Sequence, residues 1–432
     1  MNRLRRVIKS AVYLPLHPKN FKFLVRILRW LGWLPSNNAA SEGIHRILIV
    51  QPHNSLGDLV LSIPFLDDVH RQWPDAEIDL IVGNAMTTLF EHIPFVRRVI
   101  GYAPSSNKPP QARYQNVLRL FSLYRNEIRD SYDLALDPRW DSDSHAYLAR
   151  AMAFLSDAPV RAAYSGTADG LDPSLDAFMT HRALGGRNEY ESIRKLRMLQ
   201  RTGLSARTIE DSESFQVNAT LSALTPRERQ TVEASVVQAG MPVEERYCVL
   251  APSASTAGKI WPIERLAKVA KILHAKYGLH FVVIGSSKDV ELCERTAASC
   301  SGIAISLAGK TNILELLALL ARASLFIGND SGPAHLASMI GTATVIAIVS
   351  RAPSEELDHI DAPRRFRPWG PKVLLVQPDR SLLPCDPLCI SQEPPSVTQV
   401  STDAILAACE KLLLADGLDC SQNDTGRNLS VS

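Results

Sequence analysis

Two common phosphate-binding signatures are missing from this 432-residue chain. No Gly-x-Gly-x-x-Gly follows its first strand-like run, and Gly-x-x-x-x-Gly-Lys-[Ser/Thr] is absent, so neither a Rossmann dehydrogenase nor a P-loop enzyme is supported. No apolar run approaches the ~20 residues that a membrane-spanning helix needs. Neither sign of charge is in excess, with 47 Lys+Arg against 45 Asp+Glu, so no overall field points to nucleic acid. Cysteine is sparse: seven residues at scattered spacing suit reduced, mostly buried thiols and hence a cytosolic protein. No short internal repeat is visible.

Length points to two domains of roughly 150–200 residues each. Charge is balanced overall but not locally. Residues 1–41 hold Arg3, Arg5, Arg6, Lys9, Lys19, Lys22, Arg26 and Arg29 without one acid, so this segment carries +8 against a net +2 for the chain. From Asn20 to Leu34 a helix is expected, with Lys22, Arg26 and Arg29 on one face and Phe23, Ile27, Trp30 and Leu34 on another. That division suits the headgroup region of an anionic membrane; the alternative is an extra helix packed on the first domain. Charges interrupt the apolar stretch and no cleavage pattern follows, so it does not read as a signal peptide. A polar linker, Ser36 to Gly43, comes next.

From Arg46 the pattern alternates strand and helix. Ile47–Val50 is the short continuous apolar run of a buried parallel strand. A turn, Asn54-Ser55-Leu56-Gly57-Asp58, leads into one helix through Leu59, Ile63, Leu66 and Val69. Further strands are expected at Ile78–Gly83, Val96–Tyr102, Asp133–Asp137 and Val160–Tyr164. The polar stretch 204–245, with a helix at Thr225–Ala239, separates a second series. Its strands are expected at Tyr247–Ala251, His280–Gly285, Ala304–Leu307, Ser324–Gly328, Ala343–Val349 and Val373–Val376. Its helices are expected at Ile263–Tyr277, Val290–Cys300 and Ile313–Ala321. The division is therefore residues 1–43 as a basic extension and linker, 44–220 and 221–415 as two α/β domains, and 416–432 as a loose tail. The last helix is left free to pack back on the first domain. Alternation of this kind gives doubly wound sheets.

Candidate chemistry lies at the strand ends. Asn329-Asp330-Ser331-Gly332-Pro333-Ala334-His335 follows an apolar strand and opens a helix, where unpaired N–H groups and the helix dipole favour a phosphate. Alone, such a turn is an ordinary capped junction. Ser253 to Lys259 is a hydroxyl-rich loop with a cation, suited to a diphosphate or simply a surface turn. If their strands are neighbours these loops converge, with Gly285–Asp289 and Gly309–Asn312 on the same rim, and a nucleoside diphosphate fits that rim. Asp58, at the end of the first strand, is placed either to take a proton from a hydroxyl or to cap a helix. Asp141-Ser142-Asp143 and the Cys385/Cys389 loop each hold a pair of metal-ligand types, and neither completes a site.

Ser-Leu-Gly-Asp after the first strand, Lys-x-Trp-Pro at residues 259–262 and Asp-Ser-Gly-x-x-His-Leu-Ala from Asp330, in this order, resemble glycosyltransferase family 9, the ADP-heptose:lipopolysaccharide heptosyltransferases. The resemblance runs from about Arg46 to Ala408, with Ser331 where the family usually has Thr. It implies a GT-B architecture of two Rossmann-like domains facing a cleft, an inverting transfer without metal or other cofactor, and a lipid-linked or lipopolysaccharide acceptor. Carried over by motif, Asp58 is the general base, and Ser255 or Thr256, with Lys259, holds the diphosphate. Asp289 lies near the ribose, Thr311 near the adenine, Asp330 at the sugar, and Ser331, Gly332 and His335 at the leaving phosphates. Arg139, Asp141 and His145 are the acceptor-side candidates. The expected place is the cytoplasmic face of the inner membrane of a Gram-negative bacterium, reached through residues 1–34. A nucleotide-sugar 2-epimerase and a non-catalytic nucleotide-sugar-binding protein are the competing functions; the spacing of the Asp58 and Lys259 motifs, and the presence of both residues, weigh against them.

Overall fold

The structure is a computed structural model. It describes residues 18–32, 34, 43–103, 111–128, 132–139, 144–169, 173–186, 188–210, 226–238, 246–341, 344–349, 363–370, 372–379, 396–415 and 417. Residues 1–17, most of the linker, Asp141-Ser142-Asp143, the Cys385/Cys389 loop and nearly all of the tail lie outside them.

Two compact units result. The first takes Met1–Asn54 and Ser62–Glu213; the second takes Ser55–Leu61 together with Ser214–Ser432. In chain order the elements are α1 (Pro18–Trp30), β1 (Arg46–Gln51), α2 (Leu56–Val60), α3 (Ile63–Gln72), β2 (Glu77–Gly83), α4 (Thr87–Phe90), β3 (Val96–Tyr102), α5 (Gln111–Asn126), β4 (Leu134–Asp137), α6 (Ser144–Leu155), β5 (Val160–Tyr164), α7 (Gly166–Asp169), β6 (His181–Ala183) and α8 (Glu191–Arg201). After them come α9 (Pro226–Gln238), β7 (Tyr247–Ala251), α10 (Ile263–Tyr277), β8 (His280–Val283), α11 (Val290–Ser299), β9 (Ala304–Ser306), α12 (Ile313–Arg322), β10 (Leu325–Asn329), α13 (Gly332–Ile340), β11 (Thr344–Ile348), α14 (Pro363–Phe366), β12 (Val373–Val376) and α15 (Thr402–Ala415).

Each unit holds one six-stranded parallel sheet, ordered β3-β2-β1-β4-β5-β6 and β12-β11-β10-β7-β8-β9. Both orders are doubly wound, and each reverses beside its first strand, between β1 and β4 and between β7 and β10. The central strands are apolar because both faces are covered: Ile47–Val50 and Cys248–Leu250 have no exposed surface. With these sheets the chain is an α/β protein of two doubly wound units.

Three expectations need correction. The single helix through Leu59–Val69 is two, α2 and α3. Pro64, in the first turn of α3, has no N–H to continue the ladder. The break lets Ser55–Leu61 pack with the second unit, while α3 stays in the first. At the break the Ser62 hydroxyl donates to Gln51 Oε1 at 2.6 Å and accepts from the buried Lys195 ammonium at 2.7 Å. Second, β6 is absent from the expected strands, since its His-Arg-Ala is short and largely polar.

Third, α1 does not present the faces expected of it. Phe21, Leu24, Val25 and Leu28 are buried in the first unit's core, and Leu34, assigned to an exposed apolar face, is buried too. Phe21 sits among Phe121, Tyr147, Phe154 and Phe178, with ring centroids 5.7–6.4 Å away. Lys22 donates to the Ala177 carbonyl at 3.1 Å, and Arg29 pairs with Asp157 at 2.7 Å.

The last helix, α15, buries Ile405, Cys409 and Leu413 in the second unit's core and so belongs to that unit. The four described cysteines, Cys248, Cys293, Cys300 and Cys409, are free, buried thiols. Burial raises the pKa of each, to about 11 for Cys300 and about 12 for Cys293, which keeps them protonated and inert near neutrality.

Candidate active site

The second unit's sheet reverses direction between β7 and β10, and the loops leaving these neighbouring strands are the two read as phosphate loops. β10 pairs in parallel with β7, Phe326 opposite Val249 and Gly328 opposite Ala251. Both chains therefore turn out of the sheet side by side, as the expected convergence requires. β8 and β9 continue on the other side of β7, so the turns Gly285–Asp289 and Gly309–Asn312 share the rim.

Asn329, the last residue of β10, ties the two central loops together. Its Oδ1 accepts from the Trp261 backbone N–H at 3.1 Å and its Nδ2 donates to the Pro252 carbonyl at 2.7 Å. The Ser253–Ile260 loop is thus clasped at both ends by one buried amide. Trp261, almost fully buried, anchors the same point by donating from Nε1 to the Val400 carbonyl at 3.0 Å. The tryptophan of Lys-x-Trp-Pro is therefore a core residue that fixes where Lys259 begins. Sequence reasoning finds in Asn329 only a capping type; an amide ending an otherwise apolar buried strand is the available signal. Asn329→Ala is expected to cost about 2 kcal/mol in urea unfolding, because it strands a buried N–H and a buried carbonyl. Asn329→Asp, which sets a buried carboxylate oxygen against the Pro252 carbonyl, should cost at least as much. A loss below about 0.5 kcal/mol would mean the loops hold without the clasp.

Next in the chain, Asp330 lies between two cationic types. Lys259 Nζ is 3.8 Å from Asp330 Oδ2, and His335 Nε2 is 3.8 Å from Asp330 Oδ1. Asp330 is itself fixed by its N–H, which donates to the Ile348 carbonyl of the neighbouring strand at 3.0 Å. These separations leave room for hydrogen bonds to a ligand at all three groups. Ser331 is the N-cap of α13, yet its side chain caps nothing, and its buried hydroxyl makes no hydrogen bond among the described residues. The start of α13 keeps its positive end and its Gly332 N–H for an anion.

α2 packs on α13 within this unit, and two glycines set the distance. A Cβ on Gly332 would lie 2.9 Å from Leu56 Cβ, and one on Gly57 would lie 3.0 Å from the His335 ring. Gly332, expected to let an anion approach, also admits Leu56. Asp58 follows Gly57 directly, in the first turn of α2 and partly exposed. The proposed base is thereby carried on a turn that rests on the imidazole of the proposed phosphate site.

The remaining candidates are more dispersed. Ser255 is exposed and Thr256 partly so; Thr256 accepts from the Lys259 N–H at 3.1 Å through its carbonyl, forming the turn that carries the lysine. Asp289 uses Oδ2 locally, accepting from the Ser286 N–H at 3.0 Å and hydroxyl at 2.6 Å. Thr311 precedes Asn312, whose side chain caps α12 in a capping box with Glu315. The β8 and β9 turns are joined by the Gly309 N–H donating to the Gly285 carbonyl at 2.9 Å. In the first unit Arg139 is buried beside Asp137, to which its N–H donates at 3.2 Å. Asp141 lies outside the described residues, and of His145 only its place in α6 is described.

A doubly wound sheet with a cation, a carboxylate, an imidazole and a helix start at its reversal point, beside a turn bearing a second carboxylate, suits a phosphorylated ligand with a carboxylate nearby. The comparisons narrow this. The family described as Glycosyltransferase family 9 (heptosyltransferase) matches residues 170–382, a span that includes every donor-side residue above but not Asp58. Lipopolysaccharide heptosyltransferase 3 of Escherichia coli K12 is 25% identical over 380 residues, covering 85% of this chain and 98% of that protein. Among solved structures, a family 9 glycosyl transferase of Veillonella parvula superposes with a TM-score of 0.68 at 18% identity, covering 88% of this chain and all of that one. ADP-heptose lipopolysaccharide heptosyltransferase II of E. coli does so with 0.64 at 18% identity, covering 87% and 100%. The protein is a glycosyltransferase. Its similarity is to glycosyltransferase family 9, over residues 170–382.

Proposed function

We propose that the chain transfers a heptose from ADP-heptose to a saccharide of the lipopolysaccharide core, with inversion and without a metal, at the cytoplasmic face of the inner membrane. The carrying observation is the Lys259–Asp330–His335 cluster at the β7/β10 reversal, with the Asp58 turn packed on its helix. The similarity to heptosyltransferases supports the choice of sugar.

In this reading the diphosphate lies along Lys259, the Ser331 hydroxyl and the Gly332 N–H. As the bond from the anomeric carbon to the diphosphate oxygen breaks, negative charge grows on the phosphates, and groups already aimed there lower the barrier without reorganising. Asp58 takes the proton from the acceptor hydroxyl as its oxygen attacks that carbon from the opposite side. Asp330 is left for the sugar hydroxyls, held in place by its two neighbours. Ser255, Thr256, Asp289 and Thr311 are read as contacts to phosphate, ribose and base along the same rim; Arg139, Asp141 and His145 remain the acceptor-side candidates.

The test is a panel of nucleotide sugars offered with a core saccharide acceptor, reading release of the nucleoside diphosphate. Acceptor-dependent ADP release from ADP-heptose is expected. Preferential turnover of a UDP-sugar, or conversion of the sugar nucleotide without an acceptor, would refute the reading.

A further inference from the structure

α1 has two sides, and the first unit uses only one. Phe21, Leu24, Val25 and Leu28 face the core, while Lys22 and Arg29 are drawn onto the domain by Ala177, Leu155 and Asp157. On the other side Lys19, Phe23, Arg26 and Trp30 are exposed, and at 3.6 residues per turn they fall within an arc of about 60°. Phe23 is 67% exposed, Trp30 84%, and Leu31, just past the helix end, 48%. Three large apolar side chains in solvent within nine residues are unusual for a helix already anchored by its opposite face. No acidic residue occurs in the helix, so the charge beside the aromatics is of one sign.

We infer that this face, Phe23, Trp30 and Leu31 flanked by Lys19 and Arg26, is a docking surface for an anionic lipid bilayer, on which the helix lies flat. Aromatic rings seat at the headgroup level while the basic side chains reach lipid phosphates. Charge complementarity selects this occupant: a bilayer rich in acidic headgroups offers the negative field that an acid-free face answers. No helix among the described residues is long and apolar enough to cross a membrane, so the surface is one of contact. The inference rests on the reading of the acceptor as lipid-linked, which places the enzyme's substrate in such a bilayer. It differs from the division expected from the sequence, since Lys22, Arg29 and Leu34 are occupied by the fold.

The experiment is sedimentation of the full chain with vesicles of equal parts phosphatidylglycerol and phosphatidylcholine, without sugar substrates, so that it does not depend on the transfer reaction. Binding is expected to anionic vesicles, to weaken with salt, and to be absent on pure phosphatidylcholine. Phe23→Ser with Trp30→Ser should reduce partitioning by tenfold or more, and Lys19→Gln with Arg26→Gln by about 25-fold, at about fivefold for each charge. Turnover of a water-soluble acceptor should be unchanged in both variants, whose side chains lie outside the core. Unaltered vesicle binding in both variants would overturn the inference, as would equal binding to neutral vesicles. So would self-association that Phe23→Ser with Trp30→Ser abolishes while the unaltered chain leaves vesicles unbound.

Discussion

Asp58→Asn is expected to lower kcat by about 10³, within the 10²–10⁴ that a positioned general base supplies. Affinity for ADP should stay within about twofold if, as proposed, the base acts on the acceptor hydroxyl and the diphosphate is held elsewhere. The amide keeps the shape of the side chain and can accept a hydrogen bond through its oxygen, but it cannot take the proton. Asp58 also lies in the first turn of α2, where a negative charge stabilises the helix by up to about 1 kcal/mol. Thermal unfolding should therefore be compared, so that a small loss of stability is not mistaken for lost chemistry. Initial rates of ADP release and calorimetric ADP titration separate the two. A rate within tenfold of the unaltered chain would remove Asp58 from the reaction.

Lys259→Met should reduce kcat/KM by about 10²–10³, the usual effect of deleting one preorganised group that meets developing charge. Unlike Asp58→Asn, it should weaken ADP binding as well, because in the proposed arrangement the ammonium meets the diphosphate in both ground and transition states. Lys259→Arg should recover binding better than rate, as a planar fork cannot occupy the place of a point charge 3.8 Å from Asp330. Steady-state kinetics with varied donor distinguish these outcomes. If Lys259→Met left KM and kcat intact, the diphosphate would have to lie away from the β7 loop.

Much of this site is legible without coordinates. Apolar runs such as Ile47–Val50 mark parallel strands because both faces of such a sheet are buried. Doubly wound order then brings the ends of β7 and β10 together without further information. What escapes depends on contacts between residues distant in sequence. Nothing local in Asn329 says that it will clasp Pro252 and Trp261, 77 and 68 positions away. Nothing in Gly57 announces the His335 ring, and helical periodicity, which runs unbroken from Leu59 to Val69, conceals the break at Pro64. In α1 the amphipathic pattern is visible, but the pattern alone does not say which apolar residues a domain claims. Phe21 and Leu34 go to the core, while Phe23 and Trp30 stay outside.

The most direct measurement is the anomeric configuration of the new linkage, read by nuclear magnetic resonance on product made from ADP-heptose and a core saccharide. A single carboxylate delivering the acceptor hydroxyl straight to a donor held on the second unit's rim requires a configuration opposite to that of the donor. A retained configuration would require two successive displacements, or attack on the face that the diphosphate leaves, and either would contradict the role given to Asp58.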